Sequence, residues 1–401
     1  MRDRDVLVVG AGPAGSACAT LLARAGLDVA LLDRAAFPRG KPCAEYLSPE
    51  CARVLQRLGV LEALEQEGPA HLHGMRVVSP NGTTFTGRFG ASRGVHPPAD
   101  YGLALPRERL DLHLVHAATA AGADLHESHA LEAIERASGG CVTVVARAGK
   151  TRARFRGRML VGADGLNSRV AASLGVVRHG RRQRIALVTH YAGIAGMSDV
   201  GEMHVGTDGY LGLAPVGHGI TNVSAIADPR GRVHGESIDR WFARLVTRTP
   251  EVAARLAAAS RVSPVRAVGP FDRRTTRATA DHTVLVGDAA DFFDPFTGEG
   301  IYAALRGAEL AARCLEHAFA VGRFHAAELR AYDRERRKTF GGKWIVERLI
   351  DRVLRVPSLF NHVAARLARR PHLADVLVGV TGDFVPAARV LSPTFLSRLL
   401  W

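Results

Sequence analysis

Residues 5–34 read DVLVVGAGPAGSACATLLARAGLDVALLDR. Val6–Val9 is a short continuous apolar run of the kind that fills a strand buried on both faces. It breaks into Gly10, Gly12 and Gly15, and a stretch with Ala/Leu at helical spacing follows. A second apolar run, Val29–Leu32, ends in Asp33 and Arg34. Strand, glycine turn, helix, strand and acid together make a βαβ unit with G-x-G-x-x-G spacing. Gly10 permits the tight turn, Gly12 lets backbone amides approach a pyrophosphate, and Gly15 lets helix and strand pack closely. Pro13 and Ala14 open the helix, whose positive end faces the phosphates. Asp33 stands where a carboxylate accepts hydrogen bonds from an adenosine ribose, and it would repel a 2′-phosphate, so the ligand is FAD or NAD rather than NADP.

Further along, the texture changes. Short alternating pieces between Leu72 and Val95 are divided by Asn-Gly and Gly and suggest hairpins. The pattern returns from Arg184 to Ala227, and the two blocks fit one antiparallel sheet interrupted in sequence. Between them lie a helix from about Arg107 to Ala121 and a strand that ends at Gly162, Asp164 and Gly165. The expected layout is a discontinuous cofactor domain (1–71, 101–180 and 270–328), a substrate-binding sheet domain (72–100 and 181–269) and a helical region (329–401). The fold class is α/β: a Rossmann-like dinucleotide-binding domain interleaved with an antiparallel sheet. Pro357, Pro371, Pro386 and Pro393 break the last region. Its helices fit a cap on the domain, and their basic faces also suit peripheral contact with membrane lipid.

Composition bounds the rest. A chain of 401 residues, 47% hydrophobic, can bury a sizeable core. The formal charge of +14 comes from 49 arginines and four lysines in short runs, with no aromatic-interleaved basic stripe, so nucleic acid is not an expected partner. Five scattered cysteines without CxxC pairs indicate neither a disulfide frame nor zinc, which is a cytoplasmic pattern. The histidines show no ligand spacing, and no metal is expected. No uncharged run reaches the roughly 18 residues of a membrane span, and no leader precedes the first strand.

Three segments, GAGPAG…LLDR, GADGLNSRV and GDAADFFDPFTGEGI, resemble in order the flavin motifs of the p-hydroxybenzoate-hydroxylase-like flavoproteins. FPRGKPCAEYLSP is most similar to the geranylgeranyl reductase-related branch. The resemblance implies that Gly10, Gly12, Pro13, Ala14, Gly15, Asp33 and Arg34 hold the ADP half of FAD. It places Arg107 and Leu131 beside the cofactor, and Asp164 near the pyrophosphate where NADH or NADPH passes as a transient donor. Gly287 and Asp288 open the third motif, with Asp288 on the ribityl chain. Pro295, Gly298 and Gly300 line the ring, and the following helix aims its N-terminus at the ring's pyrimidine edge.

Two reactions follow from the resemblance. The first expectation is a monooxygenase that hydroxylates a hydrophobic aromatic or lipid-like substrate through a flavin hydroperoxide. The alternative is reduction of isoprenoid carbon–carbon double bonds. The reductases' Cys-Gly-Gly is here Cys43-Ala44-Glu45, and two of their large aromatics are replaced by Gly212 and Ala214 between Tyr210 and Pro215, which should widen the cavity. Flavin-dependent halogenation is disfavoured, because no lysine lies between Lys41 and Lys150, and a non-catalytic flavin-binding protein is the remaining alternative. Cys43, His190 and Tyr210 are candidate catalytic residues. Tyr191 and His218 sit on the same sheet as ordinary sheet positions. Asp291, Asp294 and Glu299, which crowd the third motif, receive no role.

Overall fold

A computed structural model of the chain describes residues 3–90, 95–136, 140–181 and 183–400. Residues 1–2 and 137–139 of the expected cofactor domain, 91–94 of the first sheet block, Arg182 and Trp401 lie outside the described residues. The opening segment forms strand Asp3–Val9, helix Pro13–Arg24 and strand Val29–Leu32, and the two strands pair in parallel. Gly10 has φ +100°, and a Cβ there would stand 2.4 Å from the Ala163 carbonyl oxygen. A Cβ on Gly15 would stand 1.7 Å from the Gly10 carbonyl oxygen, so both positions exclude any side chain.

Around this unit the sheet runs Thr279–Ala280, Thr283–Leu285, Thr151–Gly162, Asp3–Val9, Val29–Leu32, Asp124–His126. All of these neighbours are parallel except the first pair. Val142–Ala148 and His129–Arg136 extend the long strand as an antiparallel leaf. Helices Pro13–Arg24, Arg107–Ala120 and Gly300–Val321 pack into the same core, where Val6, Leu7 and Val8 are fully buried.

The second sheet takes strands from both alternating blocks, in the order Ser260–Arg261, Ile185–Ala192, Ile220–Ala227, Gly209–Pro215, Gly201–Val205, Gly74–Val78, Thr84–Arg88. It departs from the antiparallel expectation at the seam between the blocks, where Gly201–Val205 runs parallel to Gly74–Val78. More than a hundred residues separate those strands, so no tight turn dictates their relative direction. Alternation then divides the two faces. Leu187, Leu211, Val223 and Ala225 pack against Trp241, Phe242 and Val252 from two short helices. The opposite face carries Met75, Met203, Gly212, Ser224, Ile226 and Val188, and it looks toward the parallel-sheet domain.

The C-terminal region is helical: Ala326–Leu354, Pro357–Arg369, Pro371–Thr381 and Pro393–Leu400. Pro357 and Pro371 stand at helix starts, where the missing N–H has no helical partner to lose. The apolar sides of these helices turn inward: Phe360, Val363, Leu367, Leu373 and Val378 are buried with Phe85 and Phe89 of the sheet domain. Among the described residues, no helix is long and apolar enough to cross a membrane.

Candidate functional site

A cavity enclosing about 1460 Å³ of empty space, mouth included, lies between the two sheets. One wall comes from the three motifs: Gly12, Pro13 and Ala14, then Gly165, then Asp288, Pro295, Gly298 and Gly300. Arg107, Cys43 and Tyr210 also reach it. Gly10, Gly15 and Gly287 act behind this wall by allowing close approach. Leu131 is buried behind it on its strand, with its carbonyl accepting from the Arg169 guanidinium. Asp33 ends its strand outside the cavity, its carboxylate accepting from the amides of Ala11 (2.8 Å) and Ala35 (2.9 Å), and Arg34 is exposed.

The turn around Gly12 is strongly cationic. The buried Asp111 carboxylate takes two hydrogen bonds from Arg107 (2.9 and 2.8 Å) and an ion pair from Arg39 at 2.9 Å. Both guanidiniums end within 3.8 Å of where a Gly12 Cβ would sit, beside the free amides of the helix. Burial works against the Arg107 charge, but Asp111 and Cys43 outweigh it and hold the group above its usual value. Lys41, which the sequence reading passed over, lines the same cavity opposite Asp288. Burial pushes its ammonium down, and Asp288 opposes that shift. For Asp288 itself burial pushes the carboxyl up, with Lys41 and Arg107 opposing.

These residues fit FAD. Two guanidiniums and a helix N-terminus are the chemistry a diphosphate requires. Asp164 offers an independent sign: one of its carboxylate oxygens caps Arg169 (2.7 Å), while the other is buried with no partner and is free to accept from a ligand. Burial raises this carboxyl as well.

Glu45, where the resembled motif has glycine, has φ +60° and a buried carboxylate. One oxygen accepts from the first amide of helix Arg107–Ala120 (3.0 Å); the other meets His190 Nε2 at 2.6 Å and Asn222 Nδ2 at 2.9 Å. Asn222 also donates to the Cys43 carbonyl at 2.8 Å, so this knot ties the Cys43 loop to the second sheet. His190 is turned to Glu45 and Ser263 and lies outside the cavity lining. Glu45→Ala should cost about 2 kcal/mol, because it strands buried donors of three groups. Thermal unfolding should show the loss with Glu45→Gln nearer wild type, and a deficit under about 0.5 kcal/mol would refute the knot.

Tyr210 lines the cavity and donates its hydroxyl to Asp294 at 2.7 Å. Burial, and then the Asp294 charge, push the phenol well above its usual value, so it is a neutral donor rather than a base. The three acids without a role each take a cation: Asp291 takes Arg336, Asp294 takes Arg184 (2.8 Å), and Glu299 takes Lys343 (3.8 Å). Arg336 and Lys343 belong to the helix Ala326–Leu354 and Arg184 also binds its Asp351, so these acids fasten the C-terminal region to the third motif. Among the described residues, no cluster of His, Cys, Asp or Glu could hold a metal ion.

Comparison with known proteins agrees with this geometry. A family model described as "FAD binding domain" matches residues 3–343. Conditioned medium factor receptor 1 of Dictyostelium discoideum is 29% identical over 381 residues, covering 91% of this chain and 74% of that protein. Digeranylgeranylglycerophospholipid reductase 1 of Methanothermobacter thermautotrophicus is 30% identical over 353 residues, covering 84% and 83%. Among solved structures, the flavin-dependent halogenase CmlS superposes with a TM-score of 0.77 at 23% identity, a likeness of fold. It covers 85% of this chain, which spans 63% of that one. The chain belongs to the FAD-binding-domain family and is an FAD-dependent oxidoreductase of the p-hydroxybenzoate-hydroxylase-like superfamily, related to the geranylgeranyl reductases.

Proposed function

We propose that the protein reduces a carbon–carbon double bond in a neutral, lipid-like substrate, with NADH or NADPH as the transient electron donor. The observation that carries this is the cavity itself, which joins the flavin-motif wall to an apolar sheet face without interruption. Met75, Met203, Val188 and Ile226 supply that face, and Phe271 and Phe296 border it from neighbouring loops. Glu202, next to Met203 in the same strand, turns its carboxylate to the other face, where Arg255 (2.8 Å) and His204 (2.9 Å) hold it. Burial opposes the Glu202 charge, but those partners pull its carboxyl down to about 2. A neutral, apolar substrate therefore suits this sheet face better than an ionic one.

FAD, when bound, supplies the hydride chemistry. Arg39 and Arg107 hold its phosphates, Asp288 its ribityl hydroxyls, and the glycine turn Pro295–Gly300 leaves room for the ring. Asn222 and Ser224 are occupied with each other (2.9 Å) and shape the floor without adding charge. The 30% identical relative, named for a reductase of a geranylgeranyl lipid, supports reduction ahead of hydroxylation. Hydroxylation stays as the second reading on one observation: Gly212 and Ala214 keep the middle of the floor low enough for a flat ring.

The test is a single turnover. Holoprotein is reduced with NADH or NADPH without oxygen and mixed with geranylgeranyl lipids, prenylated quinones or phenolic lipids. A product heavier by two hydrogens, formed anaerobically, is the expected result. A product that appears only after air is admitted and gains one oxygen atom would overturn reduction in favour of hydroxylation.

A further inference from the structure

Behind the third motif, a second cavity separates residues 287–307 from the helix Ala326–Leu354. Asp288, Phe292 and Gly300 line both cavities, so they form a shared wall. Around the second cavity stand Asp291, Asp294, Glu299 and Glu347, with the cations Arg336 and Lys343. Asp291 has Arg336 and Asp294 has Arg184, while Lys343 serves both Glu299 and Asp383. Glu347 makes no hydrogen bond or ion pair among the described residues. A second observation is independent of charge: the Thr297 hydroxyl, 7% exposed, faces this cavity and has no partner. An unpartnered hydroxyl and an unpaired carboxyl lining one cavity are what small, polar, mobile molecules satisfy, and water is the simplest.

We propose that Glu347 is a proton store for the flavin cavity, passing its proton through water in the second cavity to Asp288 in the shared wall. An unpaired carboxylate beside three other acids is disfavoured, which favours the protonated form of Glu347. Burial first, then Glu299 and Asp291, push its carboxyl well above the usual range; Asp294 adds to this and Lys343 opposes. The other charges nearby, Arg336 on the same helix and Asp288 across the wall, are those already named.

The demand for the proton rests on the double-bond reading; the protonated state of Glu347 does not. Saturating a carbon–carbon double bond takes one hydride, with its electron pair, and one proton. The hydride comes from the reduced cofactor and forms one C–H bond. The proton forms the other, leaves Glu347 as a carboxylate one turn from Lys343, and is replaced from solvent. Atoms and charge balance without any further reagent.

Two measurements on holoprotein test this. Infrared spectroscopy at neutral pH should show a protonated carboxyl band that is absent from Glu347→Gln; the same band in both proteins would overturn the store. In anaerobic single turnovers, Glu347→Gln should bind FAD normally and slow substrate reduction on the order of 100-fold, the lower end for a positioned proton donor, with a changed pH profile. Glu347→Asp should recover part of the rate. An unchanged rate and pH profile would overturn delivery. If the protein reduces no double bond, the pH dependence of the bound flavin's midpoint potential decides instead: Glu347→Gln should alter it, and identical curves refute the link. Should Glu347→Gln fail to fold, Thr297→Val should slow the same step less strongly, and no effect counts against the water path.

Discussion

Asp288→Ala is expected to abolish tight FAD binding while leaving the apoprotein folded. Its carboxylate lies in the cavity wall between Lys41 and the glycine turn and makes no hydrogen bond within the described protein. The fold therefore loses little when it is removed. Burial raises the Asp288 carboxyl, so ionisation opposes folding as pH climbs through the raised value, and alanine removes that opposition. Toward the cofactor the balance differs. On the proposed ribityl role, a carboxylate that accepts two charge-assisted hydrogen bonds, at about 1.5–3 kcal/mol each, would contribute 100-fold in affinity or more. Saturating FAD at 100 times its Kd stabilises a protein by about 2.7 kcal/mol. That increment should disappear from the melting curve of Asp288→Ala, while the apoprotein melts within about 1 kcal/mol of wild type. Asp288→Asn, which keeps one acceptor, should fall between. A variant purified with tightly bound yellow flavin would remove Asp288 from the site.

The glycine motifs were legible because their constraints are local or repeat a known spacing. Gly10, Gly12 and Gly15 fix one turn within six residues, and the helix Arg107–Ala120 begins at the arginine singled out for it. What the sequence concealed lies in pairings across long separations. Glu45 looked like a departure from the resembled motif, and its meaning comes from His190 and Asn222, 145 and 177 residues away on another sheet. Asp291 found its partner 45 residues downstream in Arg336. Nothing in the spacing of those acids indicates which cation each will meet, because Arg336 and Lys343 come from a helix distant in sequence and meet the acids only through tertiary packing. Lys41 was missed for a different reason: a lone lysine in a loop is ordinarily solvated, and burial becomes visible only when both sheets close over it.

Arg184→Met tests how firmly the C-terminal region is fastened. Arg184 is 8% exposed, and its guanidinium lies 2.8 Å from carboxylate oxygens of both Asp294 and Asp351. Methionine keeps the apolar stem and removes the charge, leaving Asp294 buried without a cation. Removing one partner of a buried pair typically costs about 3–5 kcal/mol, much of it the burden of the charge left behind. The pH dependence separates this from a simple packing defect. Burial already raises the Asp294 carboxyl, with Arg184 opposing, so the variant should raise it further. A folded-state value above the unfolded one favours the folded protein at low pH, and that advantage is lost as pH rises through the folded value. The deficit should accordingly be smaller near pH 5 than near pH 8. Arg184→Met combined with Asp294→Asn should recover part of the stability, since the stranded charge is gone and Tyr210 keeps an acceptor. A deficit under about 1 kcal/mol, or one that ignores pH, would mean that the long helix is held by its apolar face and that these buried charges are incidental to its docking.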